Sequence, residues 1–251
     1  MKIITLIFSS LFIWSMQANA TVVSGGANSD HICNYSITGQ ITPEDLQIIK
    51  QITESQLTKK GGYTQYNFCL DSRGGDLAAA IGIGKEFRRM NAGAIVLHPA
   101  LCFSSCVFVL AGAVDRSIFG SVGIHRPYAV STDAKSYEME QAKYRRMAVL
   151  AKTYLAEMNF PERLFDAMNS VPSHRVKILS PAELQDYGLN QQDPVTAEMS
   201  NAFNARKYGI TKSEMIARKA KSEAVCNKYL ANENTIMDYQ GCIESVMSGQ
   251  R

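Results

Sequence analysis

Charge of one sign is nearly absent in excess. The 26 Lys and Arg residues against 23 Asp and Glu leave a net charge of +3. With no basic stripe along the chain, that balance excludes nucleic acid as a partner. Long apolar runs are scarce as well. One lies between Ile3 and Met16, broken by Ser9, Ser10 and Ser15, and no later segment is long and apolar enough to span a bilayer. The four histidines sit at no ligand spacing from the cysteines, so no metal site is expected. Internal repeats and low-complexity tracts are missing too. What remains is an ordinary globular balance, 46% apolar and 20% charged over 251 residues. That length suits one sizeable domain with an appendage.

Residues 1–20 read as a secretory signal. Lys2 is the charged start, Ile3 to Met16 the apolar stretch, and Ala18-Asn19-Ala20 a small-x-small cleavage site before Thr21. The remaining protein is expected to be periplasmic or secreted, with no membrane span. All six cysteines follow the cleavage point: Cys33, Cys69, Cys102, Cys106, Cys226 and Cys242. An even count in an oxidising compartment favours disulfides. Cys226 and Cys242 are the best pair, because they lie in two late helical segments joined by a polar loop. The other four allow three pairings. A Cys102–Cys106 bridge would brace the turn between them, but one helical turn is awkward disulfide geometry. Buried free thiols are the alternative there.

Strand and helix signals alternate from Ile32 onward, after a loose leader over 21–31. Thr42 and Pro43 open a helix with Glu44 and Asp45 in its first turn. Tyr66, Phe68 and Leu70 alternate as a strand. A second helix runs from about Asp76 to Met90, and Ala94 to Leu97 form a short apolar strand. A long mixed-charge helix covers Lys135 to Met158, and Ser180-Pro181-Ala182-Glu183 is a capping box. The fold class expected is an α/β layered sheet with flanking helices. The expected organisation is a signal over 1–20, one domain over 21–195, and a helical C-terminal extension over 196–251.

Three runs carry chemistry: Leu70-Asp71-Ser72-Arg73-Gly74-Gly75, Cys102-Phe103-Ser104-Ser105-Cys106, and Gly123-Ile124-His125-Arg126-Pro127. They offer a glycine turn after a strand, a serine entering an apolar helix, and a histidine ending a strand. In an open α/β sheet such strand ends converge on one crevice. Main-chain N–H groups, a hydroxyl nucleophile and an imidazole base are the parts of an acyl-transfer site. Taken singly, each run has a structural explanation as a turn or a cap.

Together these runs resemble the Clp-type serine peptidases of the crotonase-like superfamily. The resemblance rests on Ser72-x-Gly74-Gly75, on Ser104 at 29 residues beyond Gly75, and on Ile124-His125-x-Pro127. It extends to Leu179-Ser180-Pro181-Ala182-Glu183-Leu184-Gln185-Asp186-Tyr187-Gly188-Leu189, which is similar to the family's closing motif. It covers roughly Ile32 to Gln192. With the signal, the chain looks like the exported Clp-like proteins with a Cys-x-Ser-x-Cys segment. The resemblance implies a ClpP/crotonase-like fold and residue roles. Ser104 matches the nucleophile, with Ser105 as the reserve candidate. His125 matches the general base, and the N–H groups of Gly75 and Ser105 match the oxyanion hole. The family's third residue, an aspartate, falls here on Val176, which cannot orient an imidazole. His174, Asp133 and Asp166 are the candidates to replace it, so a Ser–His dyad or a rewired triad is expected.

The reaction implied is hydrolysis of amide bonds in peptides or unfolded protein, with no cofactor. The resemblance permits a homo-oligomer. An ATP-driven unfoldase partner is not expected in an exported protein. The alternative is a catalytically degenerate scaffold or binding protein that keeps the fold. An acyl-coenzyme A enzyme fits poorly, because coenzyme A is cytoplasmic.

Overall fold

The computed structural model describes residues 21–24, 32–58, 66–128, 137–226 and 236–250. The segment 1–20 expected to be a signal and Asp133 lie outside them. Among the described residues, eight strands form one curled sheet. They are β1 (Thr21–Ser24), β2 (Tyr35–Ile41), β3 (Asn67–Gly75), β4 (Gly93–Val96), β5 (Leu101–Phe103), β6 (Asp115–Ile118), β7 (Ser121–Ile124) and β8 (Lys177–Ile178). Helices α1 (Pro43–Thr58), α2 (Leu77–Arg89) and α3 (Cys106–Gly112) alternate with them. The later helices are α4 (Tyr137–Glu157), α5 (Glu162–Ser170), α6 (Pro181–Asp186), α7 (Pro194–Tyr208), α8 (Lys212–Cys226) and α9 (Ile236–Met247). This mixed α/β architecture, a curled sheet with flanking helices, is the fold class expected from the motifs.

Strand β3 divides the sheet. Its first half pairs in parallel with β4, which continues to β6. Its second half, at Ser72, pairs with Cys102 of β5, and β5 continues to β7 and the antiparallel edge strand β8. One strand feeding two partners is what curls the sheet. Strand β1 corrects the expectation of a loose leader: it pairs antiparallel with β2. The β-branched run Thr21-Val22-Val23 explains the difference.

Helix starts follow local chemistry. The Asp76 carboxylate accepts the Ala79 N–H at 2.7 Å and caps α2. Thr42 and Asp45 exchange hydrogen bonds at the start of α1, and Ser180 with Glu183 form the expected capping box on α6. Lys177 and the Ser180 groups hold the Glu183 carboxyl down to about 2. Behind the sheet, α2 and α3 cross at two glycines. A Cβ on Gly112 would lie 2.1 Å from the Gly84 carbonyl oxygen. Tyr154 of α4 reaches into this layer, where its hydroxyl donates to the Phe108 carbonyl at 2.7 Å. Burial pushes the Tyr154 phenol above its usual range.

The C-terminal helices are rooted in the core at Asp193. Its N–H donates to the Val114 carbonyl at 2.7 Å. Its buried carboxylate meets Arg88 at 2.6 Å and Asn159 at 2.9 Å, and caps α7 through Val195 and Thr196. Burial opposes that charge, but those partners outweigh it and hold the carboxyl below the usual range. Arg116, beside it, donates to the Ala113 and Gly188 carbonyls. Burial and the neighbouring Arg88 lower it to about 10. Cys226 and Cys242 bridge α8 to α9, as expected, and Cys33 bridges to Cys69.

Candidate active site

A cavity of about 1090 Å³ opens where the ends of β2, β3, β5 and β7 meet α4. Gly74, Gly75, Ser104, Ser105 and His125 all line it. The β3 wall is built by a bulge. Thr38 pairs with Asp71, and Gln40 then pairs with Gly74, so β3 spends three residues where β2 spends two. Gly74 has φ of 101°, and a Cβ there would lie 2.7 Å from Ser104 Cβ and 3.0 Å from Ser105 N. Only glycine lets the two turns touch at this point. Gly75 is pressed against β2, where a Cβ would lie 2.1 Å from the Ile41 carbonyl oxygen.

The serine turn is under tight control. Ser104 has φ of 57°, a left-handed conformation that costs about 1–2 kcal/mol for a non-glycine residue. Its N–H donates to the Gly123 carbonyl at 3.0 Å. Cys102 and Cys106 form a disulfide across the turn, with Cα atoms 5.2 Å apart. That corrects the reading of free thiols there. Cys102 belongs to a strand and Cys106 opens α3, so the four-residue separation spans a chain reversal and not a helical turn. Ser104 is half-buried in the cavity wall. Ser105 is 4% exposed, and its Oγ is buried without a hydrogen-bond partner among the described residues. The Ser105 N–H likewise has no partner among them.

His125 follows β7 and is 7% exposed. Its Nδ1 lies 2.9 Å from the Arg126 carbonyl oxygen. A carbonyl only accepts, so Nδ1 is the donor in this hydrogen bond, and in the neutral ring Nε2 is then the acceptor. The chain next to that carbonyl is itself held, the Arg126 N–H donating to the Val171 carbonyl at 2.9 Å. Among the described residues, no carboxylate hydrogen-bonds His125, and no hydrogen bond joins its ring to Ser104.

The third-residue candidates are scattered. β8 runs antiparallel to β7, with pairing that ends at Ile124 opposite Lys177. Val176, just before β8, lies against Gly123, where a Cβ would meet its Cγ1 at 2.5 Å. His174 is exposed and does not line the cavity. Asp166 is exposed on α5, where its charge acts on Lys152. Among the described residues no cluster of His, Cys, Asp and Glu could hold a metal ion.

Several cavity residues were not singled out from the sequence. Lys143, Met147 and Leu150 face it from α4, and Tyr128 lies with its ring centroid 5.6 Å from that of His125. The spacing of four and then three along α4 is the signal that marks a shared helix face. The carboxylates at the rim are engaged by the main chain: Asp71 accepts the Leu101 N–H at 3.1 Å, and Asp76 caps α2.

No family model and no curated protein matches the chain. Among solved structures, a ClpP1 point mutant from Listeria monocytogenes is similar. It shares 19% identity with a TM-score of 0.47, over 61% of this chain and 86% of that chain. A likeness of that size assigns no activity and no residue.

Proposed function

We propose that this chain is an exported Clp-like serine peptidase that hydrolyses peptide or unfolded-protein amide bonds through an acyl-serine. The carrying observation is the convergence of Ser104, His125 and the Gly75 and Ser105 main chain on one cavity. Ser104 is the nucleophile. Its half-exposed position favours it over Ser105, whose Oγ has no accessible surface. The left-handed backbone at Ser104 supports the same choice, since strained residues of this kind cluster at functional sites.

His125 Nε2 takes the Ser104 proton as the hydroxyl attacks the carbonyl carbon. It returns that proton to the departing amine, and then activates water against the acyl-serine. The oxyanion is held by two N–H groups, from Gly75 and Ser105. The Asp76 N–H donates back to Ile41 of β2 at 2.9 Å. Alternation along the strand therefore turns the Gly75 N–H away from β2, toward the serine turn. The site has a rewired third member. The Arg126 carbonyl does the orienting work of the family's aspartate but brings no full charge to stabilise the imidazolium. Three disulfides favour an oxidising compartment, so we place the protein in the periplasm, or outside the cell. Self-assembly into a homo-oligomer belongs to the same reading.

The test is hydrolysis of a quenched-fluorescent peptide library by the purified oxidised protein, with each product mapped by mass spectrometry. Turnover in wild type that disappears in Ser104→Ala supports the proposal. A second reading, a degenerate scaffold, is favoured by Val176 at the position the resemblance gives to the aspartate and by the missing Ser104–His125 hydrogen bond among the described residues. It predicts no turnover in either protein and saturable peptide binding in both.

A further inference from the structure

Ser72 takes no part in the reaction above, yet it is a polar side chain left only 2% exposed beside the site. It sits inside the β3 bulge, where the ladder to β2 is interrupted. A bulge of this kind leaves main-chain groups without ladder partners. Here the groups are the Gly39 carbonyl and the Gly74 N–H, and the Ser72 hydroxyl serves both. Its Oγ donates to the Gly39 carbonyl at 2.5 Å and accepts the Gly74 N–H at 3.0 Å. A hydroxyl offers donor and acceptor in one atom, so it can bridge a gap too narrow for an amide side chain.

Two consequences follow for the cavity wall. The Gly74 N–H is spent inside the bulge and is unavailable to substrate. The Gly74 Cα is held where it touches the Ser104–Ser105 turn. Consecutive glycines are the softest torsions in a chain, so this pair keeps one orientation only while something fixes it. We propose that Ser72 is the positioning residue of the oxyanion site: its hydroxyl ties Gly39 to Gly74 across the bulge and so aims the Gly75 N–H at the reacting carbonyl. This inference rests on the peptidase reading above. Without the hydroxyl, two buried main-chain groups lose their partner, and the Arg73–Gly74 peptide, which carries the Gly74 N–H, rotates to recover one and moves Gly75 with it.

The experiment compares wild type, Ser72→Ala and Ser72→Thr as full-length oxidised proteins. Active sites are titrated with a fluorophosphonate, and its phosphonylation rate is read beside kcat and KM on a peptide substrate. Ser72→Ala is expected to lower kcat and the phosphonylation rate per titrated site by about 10- to 100-fold, in line with impaired oxyanion donors, while KM stays unchanged. Ser72→Thr, which keeps the hydroxyl, is expected to recover most of that loss. A purely structural role would lower the melting temperature and the number of titrated sites without changing the rate per site. If Ser72→Ala does not fold, Ser72→Cys takes its place. Its thiol fills the space but hydrogen-bonds weakly, so an intermediate rate is expected. A wild-type rate per site in the alanine or cysteine variant overturns the inference and leaves the peptidase reading intact. Failure of wild type to be labelled overturns both.

Discussion

Ser104 and His125 share a cavity but are held in place by very different means. Ser104 is fixed by a disulfide across its turn, by its N–H on Gly123, and by Gly74 pressed against it. His125 is fixed by one ring hydrogen bond to a neutral carbonyl, beside an edge strand of two residues. The Ser104 wall is therefore preorganised, while the His125 wall is oriented but electrostatically poor. Exchanging the acid of a Ser–His–Asp triad for a neutral amide costs about 10⁴ in kcat, largely through the wrong tautomer. A carbonyl that selects the right tautomer avoids much of that loss and forgoes the charge. The proposed peptidase is therefore expected to be slow, with its weakness on the β7–β8 side.

The largest effect should come from breaking the strong wall. Gly75→Ala drives a Cβ into the Ile41 carbonyl. Peptide turnover is expected to fall by about 10³, the scale of losing an oxyanion donor, and a melting curve should shift down with it. Next comes repair of the weak wall. Val176→Asp puts a carboxylate just beyond the β7–β8 pairing that ends beside His125, and kcat/KM should rise by about 10- to 100-fold, a fraction of what the acid contributes in a full triad. An unchanged rate would mean that the missing charge is not what limits this site.

The disulfides sharpen the same contrast. Cys33 and Cys69 close a loop of 36 residues, whereas Cys102 and Cys106 are four apart. Loop entropy assigns about 4 kcal/mol to the first bridge and about 2 kcal/mol to the second. Activity should rank them in the opposite order. Removing Cys33–Cys69 should lower the melting temperature more and leave turnover near wild type. Removing Cys102–Cys106 should slow turnover by about tenfold, because the left-handed Ser104 turn loses its clamp.

The smallest effect on the cleft is expected at the root of the C-terminal helices. Asp193→Asn breaks a buried pair with Arg88, which costs about 3 kcal/mol of stability, yet turnover per folded molecule should not change. The folded Asp193 carboxyl is held below the usual range. Its contribution is therefore complete above the unfolded carboxylate pKa and is lost as pH falls through the folded value. Melts in a pH series should show the gap between wild type and variant shrinking below about pH 4.

Elements with strong local chemistry are legible in the sequence. The caps at Thr42 and Ser180, the helix from Tyr137 to Glu157 and the strand entering Gly74 announce themselves through residue type and spacing. Strands β5, β6 and β8 did not, because they run for only three, four and two residues. Strands that short carry no period to read, and partner strands distant in sequence specify them. The site divides along the same line. Ser104, His125 and Gly75 have side chains or conformations that mark them. The bridge at Ser72 depends on where β2 slips against β3, and the hold on His125 comes from a main-chain carbonyl. The Cys102–Cys106 bridge was obscured because a separation of four suggests a helical turn, whereas the chain reverses at Ser104.

The most direct measurement is fluorophosphonate labelling of wild type, Ser104→Ala, Ser105→Ala and His125→Ala, with the modified residue identified by mass spectrometry. One phosphonylated residue, Ser104, is expected in wild type and in Ser105→Ala. No adduct is expected in Ser104→Ala, and labelling slowed by at least about 10³ in His125→Ala. An adduct on Ser105, or undiminished labelling without His125, would contradict the proposed roles of Ser104 and His125.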